Sequence, residues 1–176
     1  MSTTKFDIEQ FVGQLRDIVG NPNVIFHPED LLVFEYDGSV DRGLPSAVVF
    51  PSSTEDVSHI VALAHREGVP VTPRGAGTGL SGGAIAAEGG IEIAMTRMRS
   101  ILEVDAANRT AVVEPGLVNL DLSTATAAQG LFYAPDPSSQ RACTIGGNVA
   151  ENSGGPHCLR YGTTTDHVLA LEVVLE

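Results

Sequence analysis

Glycine is concentrated in two segments of this chain that have the composition of anion-binding loops. The first reads RGAGTGLSGGA over residues 74–84, and the second reads TIGGNVAENSGG over residues 144–155. Glycine has no Cβ and tolerates positive φ, so consecutive backbone N–H groups can converge on one anion. These stretches, named the first and second glycine segments, predict a site that holds a nucleotide pyrophosphate mainly through neutral donors.

The charge of the chain makes local geometry decisive at such a site. The formal net charge is -12 at pH 7, so the long-range field repels phosphate. A hydrogen bond to a charged group contributes about 1.5–3 kcal/mol, whereas surface charges are screened beyond roughly 8 Å. Several aligned N–H groups together with Arg74 can therefore outweigh the repulsion.

Several classes of protein are excluded by composition. The basic residues are scattered singly, which argues against nucleic acid as a partner. Lys5 is the only lysine, so the chain has neither a P-loop lysine nor an internal Schiff-base lysine. No apolar run approaches the roughly 20 residues of a membrane span. Residues 1–5 form a polar start, and we expect a cytoplasmic protein.

The residues near the second glycine segment do not form a metal-ligand pattern. Cys143 and Cys158 lack Cys-x-x-Cys spacing, which favours two reduced thiols. His157 has no second histidine or carboxylate at ligand spacing, so we expect it to line a pocket wall and predict no metal site. Arg74 has two equally supported roles, either pairing with a phosphate or anchoring its loop to a carboxylate such as Glu114 or Glu151.

Hydrophobic periodicity predicts the elements that precede the first glycine segment. Apolar residues at helical spacing predict an N-terminal helix that ends at Gly20. A buried strand follows over residues 47–50, and a helix capped by Ser52 extends to Gly68. A second strand over residues 69–72 leads into the glycine segment.

The second half of the chain is predicted to be mixed in the same way. A strand over residues 91–95 precedes a hairpin formed by residues 101–105 and 110–114. Residues 117–129 predict a helix ended by Gly130, and residues 167–175 predict a final strand. Because that strand stops at the terminus, we expect its neighbours in the sheet to be missing and the chain to be a fragment.

Two familiar motifs overlap in the first glycine segment. Residues 77–82 match the G-x-G-x-x-G string of Rossmann folds, with Glu103 about 20 residues further on. That motif needs a helix directly after the loop, and the glycines at 82, 83, 89 and 90 leave little room for one. Residues 79–83 match the G-x-S-x-G elbow of serine hydrolases, with Ser81, Asp136 and His157 in triad order. An elbow also turns straight into a helix, so the hydrolase is the weaker alternative.

Four ordered motifs resemble a known flavoprotein family. They are residues 73–84, the PDPSS of residues 135–139, the TIGGNVAEN of residues 144–152 and the HCLRYG of residues 157–162. From about Phe34 onward the chain closely resembles the FAD-binding subunit of glycolate oxidase and the related D-lactate dehydrogenases. Four motifs at family-like spacing are far more specific than any single glycine string.

The resemblance implies an α+β fold of the vanillyl-alcohol-oxidase type, with two subdomains and FAD extended between them, truncated at the C-terminus. We expect an N-terminal helix and lead-in over residues 1–45 and an FAD-binding domain over residues 46–176. Its subdomains would span residues 46–100 and 101–176, the second being incomplete.

The resemblance also implies which residues contact FAD. Residues 74–81 would surround the pyrophosphate, residues 135–139 would lie along the cofactor, and the remainder would approach the flavin and ribityl groups. Thr78 and Thr144 stand where some relatives attach the flavin covalently, so noncovalent FAD is expected. The expected cofactor-binding residues are Arg74, Gly75, Ala76, Gly77, Thr78, Gly79, Leu80, Ser81, Pro135, Asp136, Pro137, Ser138, Ser139, Thr144, Ile145, Gly146, Gly147, Asn148, Asn152, Gly154, Gly155, Tyr161 and Gly162.

The activity implied by the resemblance is oxidation of a D-2-hydroxy acid, such as glycolate or D-lactate, to the 2-oxo acid. The flavin carries the hydride equivalent, and an electron-transfer subunit or a quinone accepts the electrons. The substrate-capping domain of the family is absent, so no catalytic acid or base is assigned and this chain alone is expected to be inactive. A noncatalytic nucleotide-binding or assembly module is the alternative. We expect either weak FAD binding or a homodimer that closes the open side, with the final strand as its pairing edge.

Overall fold

The computed structural model describes residues 7–175; Lys5 and the rest of the polar start lie outside them. A four-stranded sheet is built from β1 (Val24–Ile25), β2 (Ala47–Val49), β3 (Val71–Arg74) and β4 (Ile91–Ala94), in the order β1-β2-β4-β3. Strands β2, β3 and β4 are parallel, and β1 is antiparallel to β2. The carboxyl end of β3 therefore delivers the first glycine segment to one edge of the sheet.

Two helices cover one face of this sheet. Helix α1 (Ile8–Val19) is capped by Asp7 and ends at Gly20, as its apolar stripe predicted. Helix α3 (Thr54–Glu67) crosses from β2 to β3 and ends at Gly68, which has a φ of 65°. The apolar residues of both helices pack on the inward face of the sheet. Residues 7–45 thus contribute to this sheet and its core, and the proposed domain boundaries remain a prediction.

The cap of α3 lies one residue later than predicted. Ser53, not Ser52, is the N-cap, and its hydroxyl accepts a hydrogen bond from the N–H of Asp56. Ser52 donates its own N–H and hydroxyl to the carboxylate of Asp56. The error arose because two serines stand side by side and either can satisfy the first turn.

The other face of the sheet packs against helix α2 (Pro28–Leu31) and the turn that follows it. Leu31, Val48 and Ala94 form a small buried cluster there with Phe34 and Phe50. Short 3-10 turns connect several elements of the chain, at Asn21–Asn23, Leu32–Phe34, Met95–Arg97, Ala127–Gln129 and Thr164–His167.

A second, two-stranded sheet follows as the predicted hairpin. Strands β5 (Ile101–Asp105) and β6 (Thr110–Val113) are antiparallel, and the carboxylate of Asp105 accepts the N–H groups of Ala107 and Asn108 in the turn. Helix α4 (Asn119–Thr126) is shorter than predicted, because its last turn tightens to 3-10 geometry before Gly130.

The predicted final strand does not form. Helices α5 (Ile145–Ala150) and α6 (Cys158–Tyr161) are followed by irregular chain from Val168 onward. Among the described residues no strand lies beside this stretch, and Leu169 and Leu175 are 82% and 81% exposed. Alternating apolar residues form a strand only where backbone partners are available. The homodimer expected to pair through this stretch stays a prediction.

Candidate functional site

Arg74 anchors the first glycine segment from below. It is 8% exposed, and its guanidinium donates to the carbonyls of Phe34, Tyr36 and Ala84 at 3.2, 2.7 and 3.1 Å. Its carboxylate neighbour is Glu92, at 3.5 Å. Of the two roles predicted for Arg74, these contacts correspond to anchoring.

The carboxylates suggested as partners of Arg74 are engaged elsewhere. Glu114 accepts the N–H of Ser100 at 2.7 Å, and Glu151 accepts the hydroxyl of Ser81. The sequence signal for the real partner was present, because Glu92 is a charged residue inside the apolar run of β4. Such a residue at a core position requires a buried partner.

Two buried carboxyl groups flank Arg74 and respond to it differently. Burial raises the pKa of Glu92 to about 7, and the opposing effect of Arg74 is smaller. Burial also acts to raise the pKa of Asp37, but hydrogen bonds from Ser39 and Ala84 and the charge of Arg74 outweigh it, and the pKa is lowered. Asp37 is thus the more acidic of the two carboxyl groups, a difference that sequence reasoning missed.

The first glycine segment offers a continuous row of free donors. None of the backbone N–H groups of residues 76–83 has a hydrogen-bond partner within residues 7–175. Gly77 has a φ of 66°, and a Cβ there would lie 2.5 Å from Nη2 of Arg74. Gly38 backs the segment so closely that its Cβ would lie 2.6 Å from the carbonyl oxygen of Gly79. No helix follows the segment within residues 75–90, in agreement with the rejected Rossmann motif.

The two glycine segments meet. The hydroxyl of Ser81 donates to Glu151 in the second segment, and Gly75 lies against the Oγ1 of Thr144, which a Cβ at position 75 would strike. Both ends of the row of free N–H groups are therefore close to the second segment. The unpaired N–H groups of residues 76–80 therefore lie, in sequence, between two contacts with the second segment.

The second glycine segment has a different conformation from the expected loop. Thr144 caps the six-residue helix α5, with its side chain accepting the N–H of Gly147. The N–H groups of Ile145 and Gly146 bond to the carbonyls of Leu117 and Pro115 at 2.8 Å each. These N–H groups are already hydrogen-bonded within the protein, so the second segment does not supply a second set of free donors.

Side chains of this segment are largely committed to internal contacts. Asn148 is 1% exposed and its side-chain amide faces Asn119 and Cys143. Asn152, at a φ of 48°, accepts the N–H and hydroxyl of Thr165. The side chain of Asn148 is therefore not available to a ligand, whereas the exposed Asn152 keeps its Nδ2 without a hydrogen-bond partner within residues 7–175.

Residues 135–139 are fastened to the chain that follows the second segment. Nδ1 of His157 lies 2.5 Å from a carboxylate oxygen of Asp136, and this hydrogen bond is the main cause of the lowered pKa of Asp136. Gly155 packs on the backbone of Asp136 with no space for a Cβ. Asp136 and His157 are two members of the hydrolase triad considered above, but the hydroxyl of Ser81 is bonded to Glu151 instead.

The remaining predicted site residues lie at or near the surface. Leu80 is fully at the surface, and the ring of Tyr161 packs edge-to-face on Phe132 at 5.9 Å. Gly162 ends α6 with a φ of 84°. Ala76, Thr78, Pro137, Ser138, Ser139 and Gly154 are partly or fully exposed. Within residues 7–175 there is neither a group of three metal-binding side chains nor a helix with the length and apolarity of a membrane span.

Comparison with known proteins gives one consistent result. The family model described as FAD binding domain matches residues 45–176. Glycolate oxidase subunit GlcD of Escherichia coli K12 is 49% identical over 160 residues, which cover 90% of this chain and 32% of that protein. D-lactate dehydrogenase of Anaerostipes hadrus is 39% identical over 171 residues, covering 96% and 34%. The chain thus spans about a third of the length of these relatives.

Solved structures show the same fold. Alkyldihydroxyacetonephosphate synthase superposes with a TM-score of 0.82 at 26% identity, covering 92% of this chain and 35% of that one. The expected α+β fold of the vanillyl-alcohol-oxidase type is confirmed.

Proposed function

Because this chain belongs to the family of FAD binding domains, we propose that it is the FAD-binding part of a flavin-dependent oxidoreductase that converts a D-2-hydroxy acid to the 2-oxo acid. FAD is the cofactor of the family. The proposed substrate class is supported by the identity to proteins named for glycolate and D-lactate. When bound, the flavin accepts the hydride equivalent from the substrate.

The observation that carries the proposal is the row of unpaired N–H groups over residues 76–83. Unpaired donors at a half-open surface can bind the pyrophosphate of FAD without any lysine, and several aligned bonds to an anion offset the acidic field of the chain. Arg74 holds the segment in place through its three carbonyl contacts. Residues 135–139 and the wall formed by α5 would line the rest of the cofactor.

Residues outside the row have secondary roles in this proposal. Thr78 and Thr144 stand where some relatives attach the flavin covalently, so FAD is held noncovalently in this proposal. Thr144 is buried and its hydroxyl caps α5. No general base or substrate-carboxylate ligand is assigned to this chain. An electron-transfer subunit or quinone as acceptor and a cytoplasmic location complete the proposal.

Reconstitution tests the cofactor assignment directly. Flavin-free protein is titrated with FAD, and binding is followed by the quenching and polarisation of flavin fluorescence. Saturable binding that free FMN, which has no pyrophosphate, does not match is the expected result. Protein that is folded by circular dichroism yet never binds FAD would refute the proposal. Glycolate or D-lactate added to the loaded protein should not bleach the flavin, because no general base or substrate-carboxylate ligand is assigned to this chain. Bleaching would exclude the noncatalytic module.

A further inference from the structure

Asn119, the first residue of α4, is completely buried and joins two segments of the proposed cofactor site. Its Nδ2 donates to the carbonyl of Pro135 at 3.0 Å and to the Oδ1 of Asn148 at 2.8 Å. Pro135 opens the segment 135–139, and Asn148 belongs to the second glycine segment. One amide nitrogen thus sets the spacing between Pro135 and Asn148, which are 13 residues apart in sequence.

Further bonds make this connection rigid. The backbone N–H of Asn119 donates to the carbonyl of Cys143 at 2.9 Å, and Nδ2 of Asn148 donates to the sulfur of the same cysteine at 3.3 Å. The residues before α5 are therefore held from the backbone and from the side chains at once. Hydrogen bonds in such a dry interior are costly to remove singly, because the surviving partner is left unsatisfied.

The chemistry of this position selects asparagine. Its two N–H groups serve two acceptors, whereas its Oδ1 is buried without a partner in the described chain. An orphan oxygen in the core is unfavourable, so the side chain is not explained by general core packing. The asparagine is explained if the benefit of holding both acceptors in one geometry outweighs the cost of the unsatisfied Oδ1.

We propose that Asn119 is a positioning residue for FAD, fixing residues 135–139 against α5 without touching the cofactor. The inference rests on the proposed function of the two segments. Helix α4 offers a matched control in Thr126, which is also buried and whose hydroxyl donates to the carbonyl of Leu122 at 3.0 Å. The same hydroxyl also lies within hydrogen-bond distance of the carbonyls of Ser123 and Leu131, and none of these contacts reaches either segment.

The test compares Asn119→Ala with Thr126→Val in FAD affinity and in urea unfolding. Both variants lose a buried side-chain hydrogen bond and should lose stability. Only Asn119→Ala should weaken FAD binding, by about tenfold or more, since it releases the two acceptors that hold residues 135–139 against α5. Equal affinity loss in the two variants would overturn the positioning role. A wild-type protein that does not bind FAD would instead refute the proposed function.

Asn119→Asp provides an independent readout if the alanine variant does not fold. A buried carboxylic acid stays protonated to higher pH and can then donate one hydrogen bond, whereas the carboxylate can donate none. Affinity of this variant relative to wild type should therefore be higher at pH 5.5 than at pH 8. A pH-independent ratio would contradict the role assigned to the donor groups.

Discussion

The sharpest prediction concerns the replacement of Glu92 by glutamine. Glu92 has no exposed surface, and neither carboxylate oxygen has a hydrogen-bond partner among the described residues. Its neighbours across the sheet, Val48 and Thr72, are uncharged. Burial therefore raises its pKa from 4.5 to about 7, against the smaller effect of Arg74. Glutamine has the same shape and remains neutral at every pH.

The sign of the effect follows from the protons bound. Between pH 4.5 and 7 the folded protein keeps a proton at Glu92 that the unfolded chain releases, so stability falls as the pH rises. A rise from 4.5 to about 7 corresponds to roughly 3 kcal/mol in total. About 2 kcal/mol of this is lost between pH 5.5 and 8. The lower pH is chosen because the isoelectric point is near 4.6, where solubility is poor.

Urea unfolding of wild type and Glu92→Gln at several pH values measures this directly. Groups other than Glu92 titrate in both proteins, so their contributions cancel in the difference. Between pH 5.5 and 8 the free energy of unfolding of the variant should rise by about 2 kcal/mol relative to that of the wild type. This corresponds to a relative shift of the unfolding midpoint of roughly 1–2 M urea. Parallel pH curves would refute the reasoning, and a relative gain by the wild type would mean that Arg74 keeps Glu92 ionised.

Three further outcomes are expected. Gly77→Ala should weaken FAD binding about fivefold to thirtyfold, because alanine at its φ of 66° costs about 1–2 kcal/mol. The control Gly68→Ala, at a φ of 65° and with free space around it, should lower the free energy of unfolding by a similar amount but leave FAD affinity unchanged. Equal FAD affinities in the two variants would contradict the site. His157→Ala should raise the pKa of Asp136 toward its ordinary value, since their hydrogen bond is the main cause of the lowering; an unchanged carboxyl titration by NMR would disprove that contact in solution. Ser81 should not react with a fluorophosphonate serine probe, because its hydroxyl is bonded to Glu151; labelling that Ser81→Ala abolishes would revive the hydrolase.

Local signals in the sequence predicted most of the elements around the site. The apolar stripe of α1, the αL stop at Gly68 and the hairpin at Asp105 each depend on residues close in sequence. These features succeed because neighbouring residues alone decide their conformation.

The failures involve contacts between distant parts of the chain. The pairing of Arg74 with Glu92 depends on the register of β3 and β4. The close contact of Gly38 with Gly79 depends on how the loop that contains Gly38 packs. The second glycine segment was expected to expose its amides, but its N-terminal part is helical because Thr144 caps it and Pro115 accepts from it. The stretch after His167 has the apolar alternation of a strand but pairs with no strand within residues 7–175. None of these facts can be deduced from a single local window.

The free amides of residues 76–83 have a consequence for how this site changes under mutation. Every L-residue except proline carries the same N–H group, so the donors survive almost any exchange of side chains at these positions. Leu80, whose side chain extends into solvent, has no part in the donor row beyond its backbone. The backbone torsion angles must be conserved instead, and these depend on the glycines and on the guanidinium of Arg74. Such a site can drift widely in surface chemistry while retaining its grip on the same ligand.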